Sequence, residues 1–463
     1  CSQLLYIYGM IAKKFNNNPD KLFKTLGKKN AKNEDELIIA SVDIGGGTTD
    51  LMIASYNYSD TNSVVEIHPI PLFWETFDLA GDDLLKELIQ QIIIEGGNNS
   101  GGGGVIESHM KNTLNDEKFR EKLNSFFGED SNNIGFKGKV MRTNFLNQIS
   151  IPIMNIYLDR VNKDQSILAY NDIFSDNEPC KDLLDYFEAH FGFSFKDLEW
   201  EINSDIINNI SVSVFDKLIS QISKVIKSFN ADILILSGRS FQLDSLQEIF
   251  ENYQPVLPNR MINMNNYWIG KWFPFSDEKG FVKDQKSVLS VGSLVALLSS
   301  KNNKLGSFRI NTENLRRDLI SNANYIGNIK SNIMIDFNMS LKDEESEFIV
   351  TALPFRIGFK KLDASNYPSR NLYTIDINKS HLFEKFAGDL NKVDNLIFKI
   401  RESMPLKFEV SRDLDKCKEK LFITDITDNE DNNLNKNYFE LQLNTLQDIK
   451  GYWLDEGEFI LKV

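Results

Sequence analysis

One glycine-rich stretch, Asp43-Ile-Gly-Gly-Gly-Thr-Thr-Asp50, has the residue types and spacing that could bind a phosphate group. Because glycine has no Cβ, the backbone at Gly45, Gly46 and Gly47 would approach phosphate oxygens to hydrogen-bond distance. Thr48 adds a hydroxyl donor, and the Asp43 carboxylate would hold a hydrated Mg²⁺ ion or orient a water for in-line attack. A glycine-rich hairpin that uses its aspartates only as turn residues accounts for the same stretch equally well.

A second candidate lies where a buried strand, Asp232-Ile-Leu-Ile-Leu236, runs into Ser237-Gly238-Arg239-Ser240. In open α/β sheets, ligands bind outside the carboxyl ends of the strands, which is where this turn is expected. Gly238 would permit close approach of a nucleoside, and Arg239 would stack on a base or contact phosphate. Taken alone, an ordinary strand–turn–helix connection is the commoner explanation. Two such turns, separated by a helical insertion, are less easily dismissed as ordinary connections.

These residues need a sheet to position them, and the apolar pattern of the first 302 residues alternates strands with helices. Strands are predicted over 38–43, 51–56, 64–67 and 232–236. Helices are predicted over 81–94, 212–229, 244–252 and 286–299. The order strand, glycine turn, strand indicates a hairpin and not a strand-to-helix phosphate loop. Residues 96–104 are interpreted as a solvated linker, within a helical insertion over about 96–203.

After residue 302 the pattern changes to period-two alternation between Asn- and Asp-rich turns, which is typical of β-strands. Strands are predicted over 333–341, 348–362, 372–377, 406–410, 421–426, 438–443 and 459–463. We therefore expect an α/β domain over 1–302 and a β-rich, sandwich-like domain over 303–463. The break between them is expected near residues 301–304.

Two neighbouring carboxylates, Asp82 and Asp83, invite interpretation as a metal pair. Adjacent residues on a helix point about 100° apart, so we expect them to cap the helix that begins at Gly81 instead. Ser237 and Ser240 have no histidine near them in the sequence, and nucleophilic catalysis is therefore not expected.

The composition limits the partners and the compartment. The 463 residues include 52 Lys and Arg against 66 Asp and Glu, a net charge of −14, so no general field attracts nucleic acid or an anionic bilayer. No apolar run reaches the ~18–20 residues that span a membrane. Three widely spaced cysteines favour a reducing, cytoplasmic compartment. The chain opens on Cys1 in what reads as a buried helix, so we expect it to be the C-terminal part of a longer protein.

Four motifs resemble, in the same order, those of the actin, sugar-kinase and seventy-kilodalton heat-shock-chaperone ATPase superfamily. They are Asp43-Ile-Gly-Gly-Gly-Thr-Thr-Asp50, Leu79-Ala-Gly-Asp-Asp83, Ile235-Leu-Ser-Gly238 with Arg239-Ser240, and Ser287-Val-Leu-Ser-Val-Gly292. The resemblance implies the second lobe of an actin-like fold with a ribonuclease-H-like sheet, holding ATP and Mg²⁺ against the missing N-terminal lobe of the same chain. It implies that Asp43 serves catalysis and holds the metal. The nucleotide-binding residues that it implies are Gly45, Gly46, Gly47, Thr48, Gly238, Arg239 and Ser240.

A narrower resemblance reaches past residue 302. Leu236-Ser-Gly-Arg-Ser240, Ile269-Gly-Lys-Trp-Phe-Pro274 and Phe355-Arg-Ile-Gly-Phe-Lys-Lys-Leu362 are similar to the bacterial family of virulence factor SrfB. This resemblance implies an association with bacterial virulence but no particular reaction. Together with the superfamily motifs it implies an ATP-binding protein that is associated with virulence and whose protein partner the sequence does not name.

Two residues depart from the superfamily. Arg239 stands where the adenosine motif has a second glycine, and Lys286 stands where the chaperones place an acidic adenine contact. Phosphate binding is therefore better supported than the identity of the base. With the first lobe missing, we expect this chain alone to hydrolyse ATP barely or not at all. The alternative function is a catalytically inactive protein-interaction module that retains the actin-like fold. A polymerising, actin-like protein is disfavoured because a filament would have to accommodate the β-rich domain.

Overall fold

The computed structural model describes residues 1–61, 64–95, 104–114, 119–128, 134–160, 166–300, 304–311, 324–330, 333–340, 343–363, 367–412, 421–443 and 457–461. The chain divides into two compact units. Unit 1 comprises Cys1–Arg316 and Lys450–Val463, and unit 2 comprises Arg317–Ile449. Most of the predicted linker, residues 96–103, and most of the predicted domain break, residues 301–303, lie outside the described residues. The predicted domain division therefore stays a prediction.

A mixed sheet organises unit 1. The strands of the unit are β1 (Lys28–Lys29), β2 (Asp35–Ile44), β3 (Thr49–Thr61), β4 (Val64–Phe77), β5 (Ser166–Ala169), β6 (Glu199–Ile202), β7 (Ile233–Ser237), β8 (Met261–Asn263) and β9 (Phe308–Ile310). The strand order is β8-β7-β2-β3-β4-β9, with β1 paired to β2 and with β5 and β6 forming a separate pair. β2, β3 and β4 are an antiparallel meander, whereas β7 runs parallel to β2 and β8 runs parallel to β7.

Twelve helices accompany these strands in the described part of unit 1. They are α1 (Ser2–Tyr8), α2 (Pro19–Leu26), α3 (Gly81–Leu88), α4 (Val105–Leu114), α5 (Phe119–Phe127), α6 (Gly135–Phe145), α7 (Ile151–Arg160), α8 (Tyr170–Phe174), α9 (Lys181–Phe191), α10 (Ser204–Ser228), α11 (Asp244–Tyr253) and α12 (Lys286–Ser300). α3 continues as a π-helical turn, Ile89–Ile94. α10 begins where the Asn203 side chain accepts hydrogen bonds from the next backbone N–H groups, as polar N-caps do.

The continuous apolar runs in β2 and β7 follow from burial on both faces. All five residues of β7 are buried, and so is the middle of β2, a pattern typical of strands that are covered by helices on each side. Residues of α1, α2 and α12 share one core cluster with these strands. A buried hydrogen bond of 2.8 Å from Gln3 Nε2 to Ser41 Oγ ties α1 to β2.

Unit 2 contains two antiparallel sheets and a pair of helices. Its strands are β10 (Tyr325–Lys330), β11 (Ile333–Ser340), β12 (Glu345–Val350), β13 (Phe355–Lys360), β14 (Arg370–Ile377), β15 (Leu406–Arg412), β16 (Leu421–Thr427) and β17 (Phe439–Leu443). One sheet has the order β11-β10-β13-β14-β17 and the other β12-β15-β16. The helices α13 (Lys379–Lys385) and α14 (Leu390–Glu402) share a hydrophobic core with both sheets.

The structure corrects three details of the predicted β-rich region. The sequence analysis missed α13 and α14. The stretch 348–362, predicted as one strand, contributes to both β12 and β13. In the described part of the predicted last strand, residues 459–461, Phe459 forms an isolated bridge with Gly128 in unit 1, and residues 462–463 lie outside the described residues. There the Phe459 N–H donates to the Phe127 carbonyl over 2.8 Å, so Phe459 packs on the helices of unit 1.

Candidate functional site

The two candidate turns meet at the carboxyl ends of parallel strands. β2 and β7 are paired in register so that Asp43 lies opposite Ser237. The glycine turn follows β2, and Gly238 follows β7. Between them opens a cleft of about 460 Å³ in unit 1, lined in part by Asp43, Gly45, Gly46, Gly238, Arg239 and Ser240. Six of the eight predicted site residues thus line one cavity, while Gly47 and Thr48 are not among its lining residues.

The turn between β2 and β3 is a hairpin, as the sequence predicted, and it is fastened to the start of α3. The Gly45 N–H donates to the Thr48 carbonyl over 2.9 Å and closes the turn. The Gly81 and Asp82 N–H groups donate to the carbonyls of Gly45 and Gly46 over 2.9 and 2.8 Å. The carbonyls of Gly45 and Gly46 therefore fasten the turn to α3. The N–H groups that follow Gly45 are the part of the turn that can face a ligand.

Three successive N–H groups in this turn are open. Within the described part of the chain, the backbone N–H groups of Gly46, Gly47 and Thr48 have no hydrogen-bond acceptor in the protein. Consecutive free N–H groups make a concave site that suits an anion. Gly45 differs, because its N–H already closes the turn. The N–H groups of the next three residues are therefore the ones that could donate to a phosphate.

Neither backbone strain nor packing explains the glycines at positions 46 and 47. Neither has a left-handed φ. A Cβ on Gly47 would meet nothing within 4 Å, and a Cβ on Gly46 would lie 3.4 Å from Oδ1 of Asp82. Because the fold tolerates a side chain at these points, the missing side chains keep open the approach to the free N–H groups.

Gly238 is required by the fold. It adopts φ +106° and ψ 153°, a region that is open to glycine almost alone. A Cβ there would lie 2.2 Å from the carbonyl oxygen of Ile44. The glycine lets the turn after β7 pass directly over the end of β2. The predicted reason for this glycine, close approach of a nucleoside, is not needed to explain it.

Asp43 is the carboxylate at the base of the cleft. Ser237 Oγ donates to its Oδ2 over 2.7 Å. Burial raises the pKa of Asp43, the hydrogen bond from Ser237 opposes that rise, and the nearby Asp50 carboxylate adds to it. Burial removes water that would stabilise the charged form of a carboxylate, so a nearby cation stabilises that charge more than it would on an exposed carboxylate. This position therefore suits a hydrated metal ion.

Asp82 and Asp83 have different surroundings. Asp83 Oδ2 accepts a 2.8 Å hydrogen bond from the Ala80 N–H, which confirms the predicted helix cap. Asp82 instead lines the cleft beside Gly46, and burial raises its pKa. Sequence reasoning missed this role, because which of two adjacent carboxylates faces the turn depends on where the helix begins.

Gly81 is a second site residue that the sequence did not single out. A Cβ on Gly81 would lie 3.0 Å from the Gly45 carbonyl oxygen and 3.0 Å from Ser240 Oγ. The glycine turn, the first residue of α3 and the turn after β7 therefore meet at one point. The sequence analysis marked Gly81 only as the start of a helix and as part of the Leu79–Asp83 segment that resembles the superfamily.

Two cations and an apolar wall complete the cleft. Arg239 and Lys286 are exposed lining residues, and neither forms an ion pair with any residue that the structure describes. The apolar part of the lining consists of leucines from α3, α7, α12 and the turn before α11. Three amide side chains lie beside them. These lining residues are Leu84, Leu85, Leu88, Leu158, Leu243, Leu289, Asn155, Gln242 and Gln285. One cavity thus offers donors and cations for an anion, two carboxylates, and a surface for an apolar group.

The fold and the cleft define a mixed α/β protein with a polar ligand-sized site at the carboxyl ends of parallel strands. The chain belongs to the SrfB family: the family model described as "Virulence factor SrfB" matches residues 1–460. A search of curated proteins finds no significant match. Among the helices that the structure describes, none combines the length and the apolar character required to cross a bilayer.

Proposed function

We propose that the cleft of unit 1 binds ATP together with Mg²⁺. The observation that carries this proposal is one cavity lined by Gly46 of the glycine turn, by Arg239 and Lys286, which form no ion pair with any described residue, and by the desolvated Asp43 carboxylate. The free N–H groups of Gly46, Gly47 and Thr48 belong to that same turn. The polyphosphate would lie against the N–H groups of Gly46, Gly47 and Thr48, with Arg239 and Lys286 balancing its charge. The leucine wall would take the base.

Asp43 is the residue that would hold the metal. Its carboxylate is fixed by Ser237 and partly removed from water. Bound Mg²⁺ supplies charge neutralisation of the phosphates. Asp43 would hold it through its coordinated waters, since Mg²⁺ keeps several of them. Asp82, on the other side of the glycine turn, would keep the negative phosphates from moving toward α3.

We further propose that unit 1 is the second lobe of an actin-like protein and that a preceding lobe of the same chain closes over the nucleotide. The support is the sheet arrangement, a three-stranded antiparallel meander with two parallel strands added beside its first strand. The four motifs that resemble the superfamily lie at or beside the carboxyl ends of β2 and β7.

The first prediction concerns turnover. Phosphoryl transfer depends on groups positioned around the phosphate chain, and the cleft supplies them from one lobe. We expect the purified 463-residue chain to release phosphate from ATP far more slowly than the ~1–100 s⁻¹ of typical kinases. A continuous phosphate-release assay measures this rate. Turnover within that range would contradict the two-lobe proposal.

The second prediction concerns the metal. Asp43→Asn keeps an acceptor for Ser237 Oγ but removes the charge, so ATP affinity should become insensitive to Mg²⁺ while metal-free binding is retained. Because the pKa of Asp43 is raised, the Mg²⁺-dependent part in the unaltered chain should disappear on acidification at a higher pH than an exposed carboxylate would give. Calorimetric titrations with Mg²⁺ and with EDTA separate the two parts. Equal Mg²⁺ dependence in both proteins would contradict the assignment.

The alternative is an interaction module that keeps the fold without turnover. One observation favours it: Arg239 stands where the adenosine motif of the superfamily has a second glycine. The contact with the base that turnover of ATP would use is therefore altered. ATP binding without any Mg²⁺ dependence, in a protein that includes the preceding lobe, would favour this alternative.

A further inference from the structure

The helix pair of unit 2 has an apolar face that the described residues of unit 2 leave exposed. α13 and α14 are joined by only four residues, a connection that places the two helices side by side. Leu382, Val393 and Ile400 point into the core of unit 2. On the outer side, Phe383, Leu390 and Phe398 are 48%, 64% and 59% exposed.

A groove of about 640 Å³ lies along this face. Its apolar lining is Phe383, Leu390, Val393 and Ile397. Its charged lining residues are Lys379, Glu384, Asp394 and Arg401. In the part of the chain that the structure describes, none of these four charges forms an ion pair. The groove therefore offers a ligand an apolar surface together with four charged side chains that could form ion pairs with it.

The charges are sorted by sign along the groove. Lys379 begins α13 and Arg401 lies in the last turn of α14. The connecting residues 386–389 join the other ends of the two helices, so both cations lie at the helix ends that are far from the connecting turn. Glu384 and Asp394 lie nearer the connecting turn. Glu384 is five residues from Lys379 on α13 and Asp394 is seven residues from Arg401 on α14, or roughly 8–10 Å along each helix at 1.5 Å per residue. A ligand with a matching separation of charge would bind in one direction only.

We propose that this groove binds an amphipathic helix of a partner protein, with the helix's C-terminal end against Lys379 and Arg401. A groove between two helices is the shape into which a third helix packs, and apolar side chains at i, i+3 or i+4 and i+7 would meet its apolar lining. The negative end of the helix dipole is its C-terminus, which meets the two cations. Basic residues near the N-terminus of the ligand meet Glu384 and Asp394. The inference rests on unit 2 alone and is independent of the nucleotide site.

Two labelled peptides of about 16 residues test the direction of binding. Both carry leucines at i, i+3, i+4 and i+7 spacing. The first has Lys in its first turn and Glu in its last turn, and the second has these charges exchanged. Fluorescence anisotropy with the whole chain should show the first peptide binding at least about tenfold more tightly. The second peptide is the better isolated helix by its dipole, so helix propensity alone predicts the opposite order.

Variants of exposed residues locate the site without disturbing the core. Leu390→Asp should weaken the first peptide at least about tenfold, and Arg401→Glu should remove its advantage over the second. Leu443→Asp is the matched control, because Leu443 is 55% exposed on β17 and outside the groove. It should leave binding unchanged. Equal affinities for the two peptides, or an equal loss in the control, would overturn the proposal. Leu390-dependent binding to phosphatidylserine vesicles without peptide binding would assign the face to a membrane and would also overturn it.

Discussion

ATP affinity should fall at least about tenfold when Gly46 is replaced by valine, while the folded protein keeps its stability to within about 1 kcal/mol. The new side chain would stand over the free N–H groups of the glycine turn, where the phosphates are proposed to approach. Gly46 is exposed and has no left-handed φ, and the nearest atom to its new Cβ is Oδ1 of Asp82, at 3.4 Å. Calorimetric titration with ATP and a thermal melt measure the two effects.

The two readouts separate a binding role from a structural one. A purely structural hairpin predicts a lower melting temperature with no nucleotide-specific change. Unchanged ATP affinity in a folded Gly46→Val protein would contradict the proposed site. Gly46→Ala provides a graded control, because its single methyl group blocks less of the approach and should weaken binding less.

Replacing Gly238 by alanine should destabilise unit 1 by about 3 kcal/mol or more. The backbone conformation alone costs a non-glycine residue about 1–3 kcal/mol, and the added Cβ would also lie 2.2 Å from the Ile44 carbonyl oxygen. Relief requires β2 and the turn after β7 to separate, which also opens the cleft.

Gly47→Ala is the matched control for this prediction. Its Cβ meets no atom within 4 Å and its φ is not left-handed, so the free energy of unfolding should stay within about 0.5 kcal/mol of the unaltered value. Urea denaturation of both variants measures the difference. A Gly238→Ala protein as stable as Gly47→Ala would show that the turn after β7 does not pass over β2 as described.

The sequence predicted the glycine hairpin and the buried strand 232–236 because both depend on local patterns. Apolar runs mark strands that are covered on both faces, and a glycine turn between two such runs predicts a hairpin. Parallel pairing of β2 with β7 then brings Asp43 beside Ser237, although 194 residues separate them. The resemblance to the ATPase superfamily supplied that long-range placement, since no periodicity encodes it.

The remaining site residues depended on tertiary structure. Asn155 and Leu158 reach the cleft from α7, within a long helical region that showed no chemical motif. The packing of Gly81 against Gly45 and Ser240 is visible only when three separate segments are folded together. α13 and α14 were missed for another reason: both lie between strands, so the β alternation on either side dominated the interpretation.

Amide hydrogen exchange in the presence of ATP and Mg²⁺ tests the central claim most directly, because it reports on the N–H groups themselves. If phosphates bind the glycine turn, exchange at residues 46–48 should slow on addition of ATP with Mg²⁺ and should not slow with adenosine alone. Residues 238–240 should be protected by ATP as well. Unchanged exchange at residues 46–48 at ATP concentrations that saturate binding in calorimetry, or no ATP binding at all, would contradict the proposal that this cleft is a nucleotide site.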